Sequence, residues 1–248
     1  MDTGLLKQAA EKIRNANRVI AFTGAGISVE SGVPPFRGEN GIWAKHDPSC
    51  LDLKVFNTYP ETAWEEIRTI FYDHISAAEP NAAHEALAEM EQAGYLQGVI
   101  TQNIDNLHQK AGSQDVVEFH GNSQRLLCRT CCESIQADAV DWEVFPPRCA
   151  GCDEILKPDF VFFGENIPAH AHKRAASETM LADVWLVIGT TGEVIPAATL
   201  PVEAKRNGKT IIEVNVCPSN YTDGITDIYL EGKATEVMRA LAAEIGLA

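Results

Sequence analysis

The run Val19-Ile20-Ala21-Phe22-Thr23, passing at once into Gly24-Ala25-Gly26, narrows the folds open to this chain more than any other stretch. Apolar residues ending in small ones, with a helical segment behind, are the build of a phosphate-binding βα turn. Glycine lets the backbone approach a diphosphate, and the following helix N-terminus offers free N–H groups and a positive dipole end. The spacing departs from the dinucleotide fingerprint G-x-G-x-x-G, whose third glycine would fall at Val29; here the next glycine is Gly32. Many strand ends carry a glycine turn and bind nothing. The weight therefore falls on the continuation Ser28-x-Glu30-Ser31-Gly32-x-Pro34-x-Phe36-Arg37-Gly38.

Leu5, Leu6, Ala9, Ala10, Ile13 and Ala16 recur at helical spacing, which predicts an amphipathic helix over 3–16 and a strand over 18–23. Pro34, Pro35, Gly38, Gly41 and Pro48 make 33–58 a long loop anchored by Phe36 and Trp43. Helices are expected over 60–77 (Trp64, Ile67, Ile70, Phe71, Ile75) and from Pro80-Asn81 to a stop at Gly94. A strand at Val99-Ile100, a helical turn to Gly112 and a strand at 116–119 ending on His120-Gly121 follow. Beyond a cysteine-rich segment come strand Phe160–Phe163, helix 170–182, strand Val184–Ile188, helix 196–207, strand Thr210–Val216, strand 226–230 and helix 233–245. This alternation implies an α/β fold with a mostly parallel sheet covered by helices on both faces. The expected division is 1–121 with 158–248 as one domain, a helical and loop insertion at about 39–80, and 122–157 as a small module.

At 248 residues, 45% apolar and 22% charged, the chain has enough core for one large or two small domains. A formal charge of −15 argues against duplex binding, which needs Lys and Arg to neutralise phosphates, and favours basic polypeptide partners. No apolar run approaches the roughly 20 residues of a membrane span, and Met1-Asp2-Thr3-Gly4 has no signal-peptide character, so no membrane partner and a cytoplasmic location are expected.

Seven cysteines, five of them between Cys128 and Cys152, suit metal better than a disulfide framework. Cys128-x2-Cys131 and Cys149-x2-Cys152 can close a tetrahedral four-thiolate zinc site, which has no open position and so serves structure. Cys132 could replace Cys131; spacing favours Cys131.

With the glycine-turn segment, the chain carries Thr101-Gln102-Asn103-Ile104-Asp105-Asn106-Leu107-His108, Glu118-Phe119-His120-Gly121, the four cysteines, Lys157-Pro158, Val161-Phe162-Phe163-Gly164-Glu165, Gly189-Thr190-Thr191 and Val214-Asn215-Val216. These stretches resemble, in order, the motifs of the sirtuins, NAD-dependent protein deacylases, over nearly the whole length. The resemblance implies a Rossmann-like domain plus a small zinc module, with NAD and an acyl-lysine peptide meeting between them. In that family NAD is cleaved, not reduced. Gly24, Ala25, Gly26, Ile27, Ser28 and Arg37 would hold diphosphate and ribose, and Phe36 would shield the reacting face. Gln102, Asn103, Ile104 and Asp105 would bind ribose and the nicotinamide carboxamide, with Asn103 also counted as catalytic. Gly189, Thr190, Thr191, Asn215 and Ala234 would take the phosphate and adenosine end. Val161, Phe162, Phe163, Gly164 and Glu165, with Gly192, Glu193 and Val194, would bind the acyl-lysine peptide.

Of the seven histidines, His84 and His108 fall inside helical segments and suit hydrogen bonding. His46, His74, His170 and His172 read as surface or loop residues. His120 ends a strand and occupies the family's base position, where an imidazole titrating near neutrality can take a proton from a ribose hydroxyl. The chain departs from the family pattern at Pro35 and at Gly192, and the latter is expected to loosen the loop that pairs with substrate. The Tyr-x-x-Arg pair of sirtuins that prefer succinyl-lysine is absent: Ile67 and Ile70 stand there, which implies neutral acyl groups.

Overall fold

The computed structural model describes residues 2–36, 41–73 and 78–247, so Arg37, His74 and Ile75 lie outside the described residues. The strands in chain order are β1 (Val19–Thr23), β2 (Val99–Thr101), β3 (Val116–Glu118), β4 (Gly121–Leu127), β5 (Ser134–Gln136), β6 (Lys157–Phe160), β7 (Val184–Ile188), β8 (Thr210–Asn215) and β9 (Ile228–Glu231). The helices are α1 (Thr3–Asn15), α2 (Leu53–Thr58), α3 (Pro60–Ile67), α4 (Ala82–Gln92), α5 (Leu107–Lys110), α6 (Ala169–Leu181), α7 (Thr199–Arg206) and α8 (Ala234–Ile245).

The larger sheet runs β3-β2-β1-β7-β8-β9, parallel throughout. Numbered within that sheet alone, this is the 3-2-1-4-5-6 order of doubly wound dinucleotide folds, with the change of direction between β1 and β7. Side chains alternate across each strand. Val19 and Ala21 join Leu186, Ile212 and Val214 under α1, α4 and α8, while Ile20 and Phe22 join Trp185, Val187 and Ile211 under α6 and α7. Both faces are covered, which is why these strands read as unbroken apolar runs. Asp2 caps α1 through Gly4 N at 2.7 Å, Asn81 caps α4 through Ala83 N at 2.9 Å, and Gly94 at φ +82° ends the turn after α4.

The second sheet, β5-β4-β6, is antiparallel, and here the sequence reading needs correction. The strand placed at Phe160–Phe163 is Lys157–Phe160, and it pairs with β4 beside the cysteines instead of extending the parallel sheet. The stretch read as loop over 33–58 contains 3₁₀ turns at Ile42–Ala44 and Pro48–Leu51 and the helix α2. The helix expected over 60–77 is α3, which widens into a π turn over Arg68–Tyr72. Phe56, Trp64, Ile67 and Phe71 share one core with Leu126, Leu156, Phe160 and Phe162. The cysteine segment therefore draws its apolar support from the 41–73 stretch, and Trp64 Nε1 donates to Leu156 O at 2.8 Å across that boundary.

Arg18, just before β1, grips Glu178 of α6 with Nε–Oε2 at 2.7 Å and a second nitrogen on Oε1 at 2.6 Å; Arg174 adds a bond of 3.0 Å. Glu178 is 1% exposed. Burial alone would raise its carboxyl, but the two guanidiniums outweigh it and hold the group below the usual carboxylate range. Glu178→Ala is expected to cost about 2–3 kcal/mol, less than a fully buried pair because both arginines reach solvent. Urea unfolding of the variant measures it. In the wild type this contribution is present at neutral pH and is lost as pH falls through the lowered value.

Candidate active site

Three glycines weld the carboxyl ends of β1 and β7. Gly24 N donates to Ile188 O at 3.0 Å and Gly26 N to Gly189 O at 2.8 Å. A Cβ on Gly24 would stand 2.8 Å from Gly189 O, one on Gly26 2.7 Å from Gly189 Cα, and one on Gly189 (φ +61°) 2.4 Å from Ile27 N. These glycines are thus demanded by backbone packing between two βα turns, a reason distinct from close approach to a ligand. The segment after Gly24 is a 3₁₀ helix over Ala25–Ser31. Ile27 is buried in the core and its N–H is taken by Gly24 O, whereas Ala25 is half-buried at the turn.

At the end of β2, Asn103 and Asp105 are buried around Ser28. Asn103 Nδ2 donates to Gly24 O at 3.2 Å and Ser28 Oγ at 3.1 Å, and Ser28 Oγ donates to Asp105 Oδ2 at 2.7 Å. Both amide hydrogens of Asn103 are used, so its carbonyl oxygen is the group left for a ligand. Burial raises the Asp105 carboxyl; bonds from Leu107 N–H and Ser28 oppose it without reversing it. Behind this layer lie threonines and histidines that sequence reading left unassigned or structural. Thr23 Oγ1 meets Thr101 Oγ1 at 2.9 Å and His108 Nε2 at 2.9 Å, and His84 Nε2 lies 3.4 Å from Ser28 Oγ. Burial lowers both imidazoles, that of His84 to about 4, so the layer is neutral. Hydroxyls ending two adjacent strands, Thr23 and Thr101, were the sequence signal for it. Ile104 packs into the second core.

His120 sits on the passage from β3 to β4. Its Nδ1 donates to Gln102 O at 3.0 Å, which leaves Nε2 as the acceptor. Burial lowers its pKa and the Gln102 carbonyl partly restores it. Gln102 reaches the other way, with Nε2 donating to Thr190 Oγ1 at 3.1 Å, and Asn215 Nδ2 donates to Thr190 O at 3.1 Å. Thr190 is buried and Thr191 exposed. A cleft of about 180 Å³ opens along this edge, lined by Gly26, Glu30, Gly189, Asn215, Lys233 and Ala234. Amide and hydroxyl groups with a glycine-walled cleft beside them are a donor set that fits a dinucleotide.

The other proposed contacts are spread more widely. Phe36 stacks on Trp43 and Phe71, with ring centroids 5.6 and 6.4 Å away. Val161 N donates to His120 O at 2.8 Å. Phe162 is buried in the second core, so a ligand could meet only its backbone. Glu165 is engaged by Lys157 at 2.9 Å and by Phe162 N at 2.7 Å, while Phe163 and Gly164 are exposed. Glu193 and Val194 are exposed on the facing loop. Gly192 does not loosen that loop: at φ +72°, a Cβ there would stand 2.8 Å from the Tyr221 ring, so glycine is what lets the two pack.

The ligand atoms of Cys128, Cys131, Cys149 and Cys152 lie within 4.8 Å of one another. Close Sγ–Sγ separations are 3.4 Å (128–152), 3.5 Å (131–149) and 3.9 Å (131–152). Tetrahedral zinc with bonds of about 2.3 Å would set them about 3.8 Å apart, so the residues fit the ion. Cys132, at φ +61°, turns out of the cluster and is exposed; Asp153, at φ +58°, holds the same place after Cys149.

The Sir2 family model matches residues 24–196. NAD-dependent protein deacylases of Pyrococcus furiosus and Thermococcus kodakarensis are 42% and 44% identical to this chain, covering 97% of it in each case and 98% and 96% of the relative. A Sir2 homolog–NAD complex superposes with a TM-score of 0.88 at 39% identity, over 99% of this chain and 94% of that one. A Sir2–p53 peptide–NAD+ structure does so at 0.89 and 32% identity, over 98% and 99%. By sequence and by structure, the chain belongs to the Sir2 family.

Proposed function

We propose that this chain is an NAD-dependent protein-lysine deacylase that releases free lysine, nicotinamide and O-acyl-ADP-ribose. The observation that carries the reading is His120, whose Nδ1 is fixed on Gln102 O so that Nε2 stands as an acceptor. When bound, NAD would supply an electrophilic ribose carbon with nicotinamide as leaving group. Ala25 and Arg37 would bind diphosphate and ribose, with Ile27 packed behind the turn. Asn103 would accept from a ribose hydroxyl through Oδ1, and Asp105 would accept from the carboxamide NH2. Thr190, Thr191, Asn215 and Ala234 would hold the adenosine end. His120 would take the ribose hydroxyl proton at Nε2 once the acyl-lysine is in place.

Peptide substrates are supported by the related structure that contains one, and the net charge of −15 suits basic flanking sequence. The four cysteines would hold a structural Zn²⁺. A reducing, cytoplasmic setting agrees with seven cysteines that form no disulfide, and no helix among the described residues is long and apolar enough to cross a membrane. O-acyl-ADP-ribose formed from protein, NAD and an acyl-lysine peptide tests the reading; hydrolysis of NAD without that product would overturn it.

The acyl group removed should be neutral. Ile67 and Ile70 are both buried in the second core beside Phe71. An unpaired carboxylate has a large desolvation cost in such surroundings. The kcat/KM of succinyl-lysine is expected to fall at least about tenfold below that of acetyl- or butyryl-lysine on the same peptide. A succinyl preference would show that these isoleucines do not line the acyl site.

A further inference from the structure

Glu213 is a carboxylate buried in the apolar face of β8, and its partners are hydroxyls. Ser219 Oγ donates to Oε1 at 2.5 Å, Thr226 Oγ1 to Oε2 at 2.6 Å, and Thr222 Oγ1 to both oxygens at 3.1 and 3.0 Å. All three hydroxyls belong to the connection between β8 and β9. A buried carboxyl group hydrogen-bonded this fully is costly to disturb, because each displaced donor leaves an acceptor that water cannot reach.

That connection in turn carries the loop after β7. Ser219 Oγ accepts from Tyr221 N at 3.0 Å, which seats the Tyr221 ring beneath Gly192. Tyr221 OH donates to Ala198 O at 3.1 Å on the far side of the loop. Asn220 N donates to Thr191 O at 3.1 Å, and its Nδ2 to Gly192 O at 3.3 Å. Thr191 and Gly192 are thus held from below by consecutive residues of a segment whose anchor is Glu213.

We infer that Glu213, its three hydroxyl partners and Tyr221 form a brace that positions the 191–194 wall of the peptide site. Glu213 and Tyr221 are positioning residues for acyl-peptide binding; neither touches the reacting atoms. The inference rests on the proposed function for what the wall receives. The geometry of the brace stands without it.

Two readouts separate the claims. In Glu213→Gln the amide NH2 cannot accept from a hydroxyl, so at least one donor loses its partner. Tyr221→Leu removes the ring under Gly192, while Tyr221→Phe keeps the ring and loses only the bond to Ala198. Hydrogen exchange of the 191–195 amides is expected to quicken in Glu213→Gln and Tyr221→Leu, with those of α4 and α8 unchanged. The KM for acyl-peptide should rise about 10- to 100-fold in both variants, with the affinity for NAD altered less than about threefold and Tyr221→Phe close to wild type. Gly192→Ala, whose Cβ would press on the ring, should raise the same KM. If the wild type forms no O-acyl-ADP-ribose, the proposed function fails, and exchange still reports on the brace. If exchange at 191–195 is unchanged, or if melting temperature and kcat fall together with both substrate affinities unmoved, the brace is only a structural element and the inference is overturned.

Discussion

His120→Ala is expected to lower the deacylation rate about 10²- to 10⁴-fold, the range of a lost general base, while NAD still binds. Among the described residues the imidazole makes one hydrogen bond, to Gln102 O, so the fold should tolerate its removal. The cleft residues Asn215, which ends β8, and Ala234, which follows β9, lie on the other side of the β1–β7 junction and are untouched by the change. A variant that kept more than about a tenth of wild-type turnover would require another base. The wild-type pH profile gives a second check. A base works in its neutral form, and burial lowers the His120 pKa below the ordinary 6.5. Activity should therefore be flat through neutrality and fall only as pH drops through that lowered value. An acid limb centred above 6.5 would contradict the burial argument.

Cys149→Ser is expected to release the metal and to destabilise the protein severely. Structural zinc supplies an apparent binding free energy of about 10–16 kcal/mol in zinc-finger peptides, a figure as large as the whole stability of an ordinary domain. The four cysteines lie on two turns, 128–131 and 149–152, and the segment that carries them rests Leu126 and Leu156 on Phe56, Trp64 and Phe71. Loss of the ion should thus be felt in α3 as well as in the cysteine segment, through the Trp64–Leu156 hydrogen bond. Metal analysis and thermal melting of the variant decide the matter. One equivalent of zinc retained, with an unchanged melting temperature, would rule out the assignment. A chelator applied to the wild type should reproduce the loss.

The large sheet was legible because its strands are buried on both faces and so read as apolar runs such as Val184–Ile188. Helix ends were legible where a capping residue names them, as Asn81 and Gly94 do for α4. The second sheet was not. Its strands carry mixed residues, Lys157-Pro158-Asp159-Phe160 being one, and their pairing depends on partners far along the chain. Cys131 could be preferred over Cys132 on spacing, and the left-handed backbone at Cys132 gives the physical reason. The role of Gly192 was misjudged because a glycine in a loop looks like freedom until its neighbour is known; Tyr221 lies 29 positions on. Buried side chains such as Ile27 and Phe162 sit within motifs that suggest ligand contact, and only three dimensions show that they face inward.

His120 occupies the single step by which the chain leaves β3 in one sheet and enters β4 in the other, and its own carbonyl receives Val161 N as the chain returns from β6. The residue is therefore tied to both sheets at once, through Nδ1 on Gln102 O just beyond β2 and through its own carbonyl on Val161 N just beyond β6. A substitution that displaces β6 is expected to shift the imidazole too, although it touches no residue of the glycine-walled cleft.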